Sequence, residues 1–470
     1  MRTKAWVVVP LMAIGGGLIA IAALLVAPSV ANATPGFARQ TGLSCEACHT
    51  VFPELTPFGR KFKLNAYVFT NVKQLEAINE QRESTFSLSD LPPLSVQLQA
   101  SNTTLGTSIP DTAATGDLAQ RNTTQFPQAL SLFYTGKVAP LLGAFLQLTW
   151  TPPTNSVGID NSELRFANHA AFESIGVPDF IYGLTLNNNP TSQDIWNSTP
   201  AWTYPFIATN VGVPPVTKGL LQGQLAQESV GLGGYLFLYN HLYLELTGYR
   251  SAPTSFTNAT TGGPGPLDST APNLRISGIA APYWRAVWAE EWGKHSLSLG
   301  TYGISAETHP EGVGKSGPTD NFLDIALDTQ YQYISDNHLV SLYATLLREN
   351  RVFNNTALAA NLHNHILSFT ATGSYFYRRM IGGTVQFFST TGPSDQVLYA
   401  TGTPVLGSGN GMPDTKGATF ELDFLPWLNT KLGVQYTLYT KFNGNSNNYD
   451  GFGRNASGNN TLFVFIWVAF

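Results

Sequence analysis

Both cysteines of this 470-residue chain lie in one short stretch, Cys45-Glu46-Ala47-Cys48-His49. Two thiols at this spacing can reach the two vinyl groups of one porphyrin, and the next residue brings an imidazole to the iron. The motif therefore predicts one covalently bound haem c, with Cys45 and Cys48 as the attachment points and His49 as the proximal iron ligand. Electron transfer is the chemistry that follows. A thioredoxin-like pair would need a βαβ context that the flanking sequence lacks. Half of a zinc site would need two further ligands at suitable spacing.

The residues around the motif must hold it. Thr56 is suited to cap a helix beginning at Pro57, the favoured first helical position. Phe58 and Phe62 then share a face and could pack on a porphyrin, or form an ordinary apolar stripe. Arg39, Arg60, Lys61 and Lys63 could meet haem propionates or stay solvated. Residues 34–93 contain no methionine and no histidine besides His49. A unit this short also needs help to bury a haem. A distal ligand, if one exists, must then come from the barrel or be another residue type; in the barrel, His169, His241, His295, His338 and Met380 lie near tight turns. His309, His363, His365 and Met412 lie near long loops. His241, His295 and His338 each follow Asn or Lys at a tight turn before an alternating strand, which turn chemistry explains.

The extreme N-terminus reads as an export signal. Arg2 and Lys4 precede an apolar run, Ala5 to Ala27, and the small-residue pattern Ala31-Asn32-Ala33. Residues 1–33 are assigned to the signal, with an uncleaved anchor as the alternative, since the run is long enough to span a bilayer. With both cysteines committed to haem, the exported chain has no disulfide framework. The formal charge of -5 becomes more negative when Arg2 and Lys4 leave, and it is too mild to indicate a nucleic-acid partner.

Only 12% of residues are charged, aromatics are another 12%, and there are 44 glycines and 29 prolines. From Leu94 to the end the pattern alternates with period two. His241, Tyr243, Glu245, Thr247 and Tyr249 oppose Leu242, Leu244 and Leu246. Lys431, Gly433, Gln435, Thr437 and Lys441 oppose Leu432, Val434, Tyr436 and Leu438. Alternation alone fits either a soluble sandwich or a membrane barrel. Connection lengths separate the two, because tight turns, as at Asn240 to His241 and Gly293 to His295, take turns with long polar segments. The long ones include Asn188 to Gly219, Ser251 to Ile279, Gly392 to Lys416 and Asn443 to Asn460. The prediction is an all-β fold: a transmembrane antiparallel β-barrel of about 16 strands spanning 94–470, with a small α-helical N-terminal haem c plug at 34–93. Trp284, Trp288, Trp292, Tyr375, Tyr377 and Trp467 are read as outward girdle residues. Leu462 to Phe470 is apolar on both faces, like the C-terminal sorting strand of outer-membrane proteins. A large soluble all-β domain is the competing fold. Alternation places Glu245, Asp324, Asp328, Glu421 and Asp423 in the lumen, as a cation path or as internal ion pairs, with Arg285, Lys431 and Lys441 on the polar side of their own strands.

Pro35-Gly36-Phe37-Ala38-Arg39-Gln40-Thr41-Gly42, the haem motif, and Phe52-Pro53-Glu54-Leu55-Thr56-Pro57-Phe58-Gly59-Arg60 together resemble the fused monohaem cytochrome-porins of bacterial outer membranes. Some members oxidise ferrous iron at the cell surface. The likeness is weaker over the barrel, where organisation matches better than wording. It implies an outer-membrane location with short turns periplasmic and long loops extracellular. It also implies an oxidoreductase that takes electrons from extracellular Fe(II) and passes them through one haem to a periplasmic cytochrome or other acceptor. No acid-base pair or nucleophile is required. Two further readings stand beside it: a porin whose haem unit is a structural or regulatory plug, and a cytochrome serving another extracellular partner.

Overall fold

Glu245 and Thr247 are 6% and 1% exposed, while Leu246 between them is 64% exposed. Polar side chains thus point inward and leucines outward, the reverse of a soluble sandwich. The computed structural model describes residues 36–50, 54–68, 93–110, 121–151, 156–172, 177–196, 207–251, 275–310, 317–354, 358–400, 402–427 and 429–470. The expected signal, residues 1–33, lies outside the described residues.

The first strands are β1 (Leu94–Leu105), β2 (Asn122–Ala139), β3 (Leu142–Thr151), β4 (Ser156–Ile159), β5 (Glu163–Phe172) and β6 (Val177–Asn187). Next come β7 (Ser229–Leu238), β8 (Leu242–Ser251), β9 (Arg275–Ile276), β10 (Ala281–Trp292), β11 (His295–His309) and β12 (Asp320–Ile334). The last are β13 (His338–Val352), β14 (His363–Tyr377), β15 (Ile381–Thr391), β16 (Thr415–Trp427), β17 (Thr430–Lys441) and β18 (Thr461–Ala469). Each pairs antiparallel with its neighbours, and β1 pairs with both β2 and β18, so the sheet closes. β4 and β5 both pair with β3 and form one interrupted stave. β9 and β10 likewise share β11. The 18 segments therefore make a closed barrel of 16 strands.

Among the described residues the sheet closes on itself, the condition for crossing hydrocarbon with strands. With leucines such as Leu232, Leu327 and Leu422 exposed around the outside, the chain is an outer-membrane barrel. Trp288, Trp292, Tyr375 and Tyr377 are exposed on this outer face, as girdle residues should be. Trp467 is a correction: it is buried, because in β18 it shares the inward face with Phe463 and Phe465 while Leu462, Val464 and Ile466 point out.

Short turns gather at one rim. Tyr239-Asn240 and Arg378-Arg379 turn with both residues at positive φ, the backbone of a tight hairpin. The longer connections between β1 and β2, β15 and β16, and β17 and β18 pack together at the other rim through Leu105, Ile109, Val405, Phe442 and Tyr449. One long connection does something else. From β6 to β7 the chain turns into the barrel, where residues 190–196 are all buried. Further along, the segment 207–224 crosses the lumen as a strap. The Ile207 and Ala208 carbonyls accept from Gln435 at 2.8 Å and Gln128 at 2.9 Å. At its far end, the Leu221 amide donates to Asp324 at 2.8 Å and the Leu220 amide to Glu349.

Candidate functional site

Three short helices carry the motif: α1 (Gly36–Thr41), α2 (Cys45–Cys48) and α3 (Pro57–Leu64). Thr56 caps α3 as its sequence predicts, accepting from the Gly59 amide at 3.0 Å, and Pro57 opens the helix. The Thr56 hydroxyl also donates to the Ala47 carbonyl at 2.8 Å, which clamps α3 to α2. Gly59 permits this approach, because a Cβ there would lie 2.2 Å from the Cys48 carbonyl oxygen. His49 follows directly from α2, and its short pairing with Leu55 folds the chain back toward α3.

The unit seats at the short-turn rim. Arg379 of the β14–β15 turn donates to the Glu46 and His49 carbonyls at 3.0 and 3.1 Å. Glu54 is fully buried and accepts from Gln332 at 2.7 Å and from the Ser341 hydroxyl. Burial raises the Glu54 pKa above the usual carboxylate range despite these donors. Arg60 donates to Gln330 at 3.0 Å and Gln332 at 3.1 Å. Tyr67 donates to Glu163 at 2.5 Å, and the Tyr235 hydroxyl donates to the Leu64 carbonyl at 2.7 Å.

Between unit and wall lies a cavity of about 380 Å³. Cys45, Cys48 and His49 all line it. Phe37, Leu43, Leu55, Phe62 and Tyr67 add apolar surface from the unit, and Phe133, Phe145, Leu425 and Trp467 add it from the barrel. Phe37 stacks on Tyr67 at 4.9 Å and meets Phe62 edge-on at 5.4 Å. The two cysteines are not joined in a disulfide. Converging thiols and imidazole in an apolar chamber fit the chemistry of a covalent haem, whose ring faces are apolar and whose iron takes a neutral imidazole. Lys63 and Lys431 are the cations among the lining residues.

Of the expected haem-packing pair, Phe62 faces the cavity whereas Phe58 is exposed on the other side of the helix. Of the four expected propionate partners, Lys63 lines the cavity. Arg60 is spent on the wall, Lys61 faces Glu291 at 3.4 Å near the surface, and Arg39 donates to the Leu94 carbonyl. Phe37, Tyr67 and Trp467 were not singled out by sequence for this chamber. Phe37 lies inside the stretch that carries the family resemblance, which was its available signal.

The five luminal carboxylates do point inward, and they are engaged there. Asp328 and Asp194 flank Arg285 at 2.8 and 3.2 Å. Glu421 and Asp423 flank Lys431 at 2.6 and 3.2 Å. Glu245 accepts from Tyr243 and Thr247, and Asp324 holds the strap. Asp328, Glu421 and Asp423 thus take the ion-pair alternative, while Glu245 and Asp324 are held by hydrogen bonds. Sequence reasoning missed Glu163 with Arg165, 2.6 Å apart, and Glu349 with Arg351. Beyond the strap, on the long-loop side, opens a vestibule of about 1000 Å³. Its lining is rich in hydroxyl and amide side chains, such as Thr345, Thr372, Gln386 and Thr419, with Lys218 and Arg351 as cations. Ile207 lines the cavity at the motif and its neighbour Ala208 the vestibule, so the two spaces meet at the strap, on either side of one peptide.

No family model matches the chain, and no curated protein matches it. Among solved structures, the outer-membrane channel DcaP of Acinetobacter baumannii is similar at 12% identity and a TM-score of 0.47, over 80% of this chain and 96% of that one. OmpF of Salmonella typhi in complex with daunomycin is similar at 11% identity and a TM-score of 0.47, over 84% and 100%. OmpT of Vibrio cholerae is similar at 8% identity and a TM-score of 0.43, over 83% and 99%. The fold assignment rests on the strand pairing above.

Proposed function

We propose that this outer-membrane barrel is a cytochrome-porin that carries electrons from extracellular Fe(II) to a periplasmic carrier through one haem c held by Cys45, Cys48 and His49. The observation that supports it is the convergence of these three residues on one apolar cavity at the short-turn end of a barrel. Bound there, haem c supplies a reversible one-electron ferric/ferrous couple. The apolar band of such a barrel is roughly 25 Å tall, an insulating span unless a redox centre lies within it.

The chain's own residues do the positioning. Thr56 and Gly59 hold α3 against the attachment helix, while Glu54, Arg60 and Arg379 fix the unit to the wall. Phe37, Phe62 and Trp467 give the chamber apolar walls. The vestibule admits the donor from the long-loop side as far as the strap, where it meets the cavity. Each Fe(II) loses one electron to become Fe(III), and the periplasmic carrier takes up that electron at the short-turn rim, where residues 42–44 are exposed.

A solute porin with the N-terminal unit as its plug is the second reading, and the polar vestibule favours it. Oxygen-free addition of ferrous iron to the haem-loaded, detergent-purified protein separates the two. Rapid growth of reduced-haem bands is the expected result. No spectral change, with dithionite still reducing the haem, removes the iron reading.

A further inference from the structure

We infer that His49 is the one protein ligand of the haem iron and that the second axial position is left to water or a small exogenous molecule. This rests on the haem reading above. All seven histidines other than His49, together with Met380 and Met412, lie among the described residues. The remaining methionines, Met1 and Met12, belong to the expected leader. None of the nine lines the cavity that holds Cys45, Cys48 and His49.

Each is placed elsewhere. His169 pairs with Asn65 at 2.6 Å. His241 lies 3.1 Å from Glu290 and stacks on the outward Trp288. His295 and His338 bond the hydroxyls of Tyr331 at 2.7 Å and Tyr375 at 2.8 Å. His309, His363, His365 and Met412 belong to the long-loop half, beyond the strap. Met380 follows Arg379, which donates to the Glu46 and His49 carbonyls, but its own side chain is exposed at the short turn.

The other strong donors in the lining are committed, Asp160 accepting from the Thr149 hydroxyl and the Asn161 amide, each at 2.8 Å. Lys431 bridges Glu421 and Asp423 as an ammonium. Lys63 donates to the Ser192 carbonyl and stands 3.8 Å from Glu163, and Tyr67 donates its hydroxyl to Glu163. What remains around the chamber is apolar side chains together with hydroxyl and amide ones such as Ser131, Gln147 and Asn429, which are poor ligands for haem iron and leave room for small uncharged molecules. The ligand class is therefore the diatomic π-acceptors, carbon monoxide and nitric oxide, on the ferrous iron.

The test uses the full-length chain, loaded with haem in cells that mature c-type cytochromes. Ferric-state electron paramagnetic resonance and the visible spectrum of the dithionite-reduced protein under carbon monoxide are recorded for wild type, Met380→Ala and Lys63→Gln. The expected result is a high-spin ferric signal and a carbon monoxide-shifted Soret band in all three. A low-spin ferric signal with no response to carbon monoxide overturns the inference, and its conversion to high spin in Met380→Ala or Lys63→Gln would name the ligand. An alkaline pyridine spectrum that shows no covalent haem would remove the proposed function itself, and this inference with it.

Discussion

The side-chain amide of Gln332, on barrel strand β12, donates to the Glu54 carboxylate across 2.7 Å. Glu54 stands five residues beyond His49, so the wall grips the N-terminal unit close to the motif. Burial raises the Glu54 pKa, so its folded value lies above the unfolded one. A raised carboxylate favours folding while protonated, and that contribution fades as pH rises from the unfolded toward the folded value. The seat of the unit should thus be firmest in mildly acidic solution. Thermal unfolding in detergent should show the melting temperature falling from mildly acidic to neutral pH in wild type, with a flatter response in Glu54→Gln. Equal slopes in the two proteins would count against it.

Arg379 holds the Glu46 and His49 carbonyls from the β14–β15 turn. Arg379→Ala removes two charge-assisted hydrogen bonds, worth about 1.5–3 kcal/mol each where buried and less at this partly exposed rim. The N-terminal unit should be cut faster by added protease while the barrel stays intact. An unchanged digestion rate would show that the turn does not brace the motif.

Lys431 stands between Glu421 and Asp423 and lines the cavity. Lys431→Met leaves two buried carboxylates without their cation, a change that costs about 3–5 kcal/mol when one partner of a buried pair is removed. Urea unfolding should shift to lower midpoint by an amount of that order. Replacing all three residues together with apolar side chains should recover much of the loss, because the pair's desolvation cost then disappears as well.

Gly59 admits no side chain without moving α2, since its Cβ would meet the Cys48 carbonyl at 2.2 Å. Gly59→Ala should therefore lower the ratio of covalent haem to protein, with the barrel still assembled. A full haem complement in this variant would mean that α2 and α3 part easily.

Much of the barrel was legible because period-two alternation is local: Leu244, Glu245 and Leu246 declare their faces within three residues. The cap at Thr56 and Pro57 was legible for the same reason. The course of residues 188–196 and 207–224 was not. Their Asn, Gly, Pro and Thr content reads as a surface loop, and composition carries no direction, so the inward course of these residues had no signature. Trp467 was misplaced because β18 is apolar on both faces and alternation is silent there. Glu54 and Gln332 are brought together by barrel closure, across a sequence separation that no local pattern spans.

Electron passage across a sealed membrane addresses the central claim most directly. Vesicles carrying the protein with its long loops outward, and enclosing a soluble oxidised cytochrome, would be given external Fe(II) without oxygen. The enclosed cytochrome should become reduced with wild type and stay oxidised with the paired Cys45→Ser and Cys48→Ser variant. Equal reduction with both proteins would mean that iron itself passes through the barrel, and would contradict conduction through a haem at Cys45, Cys48 and His49.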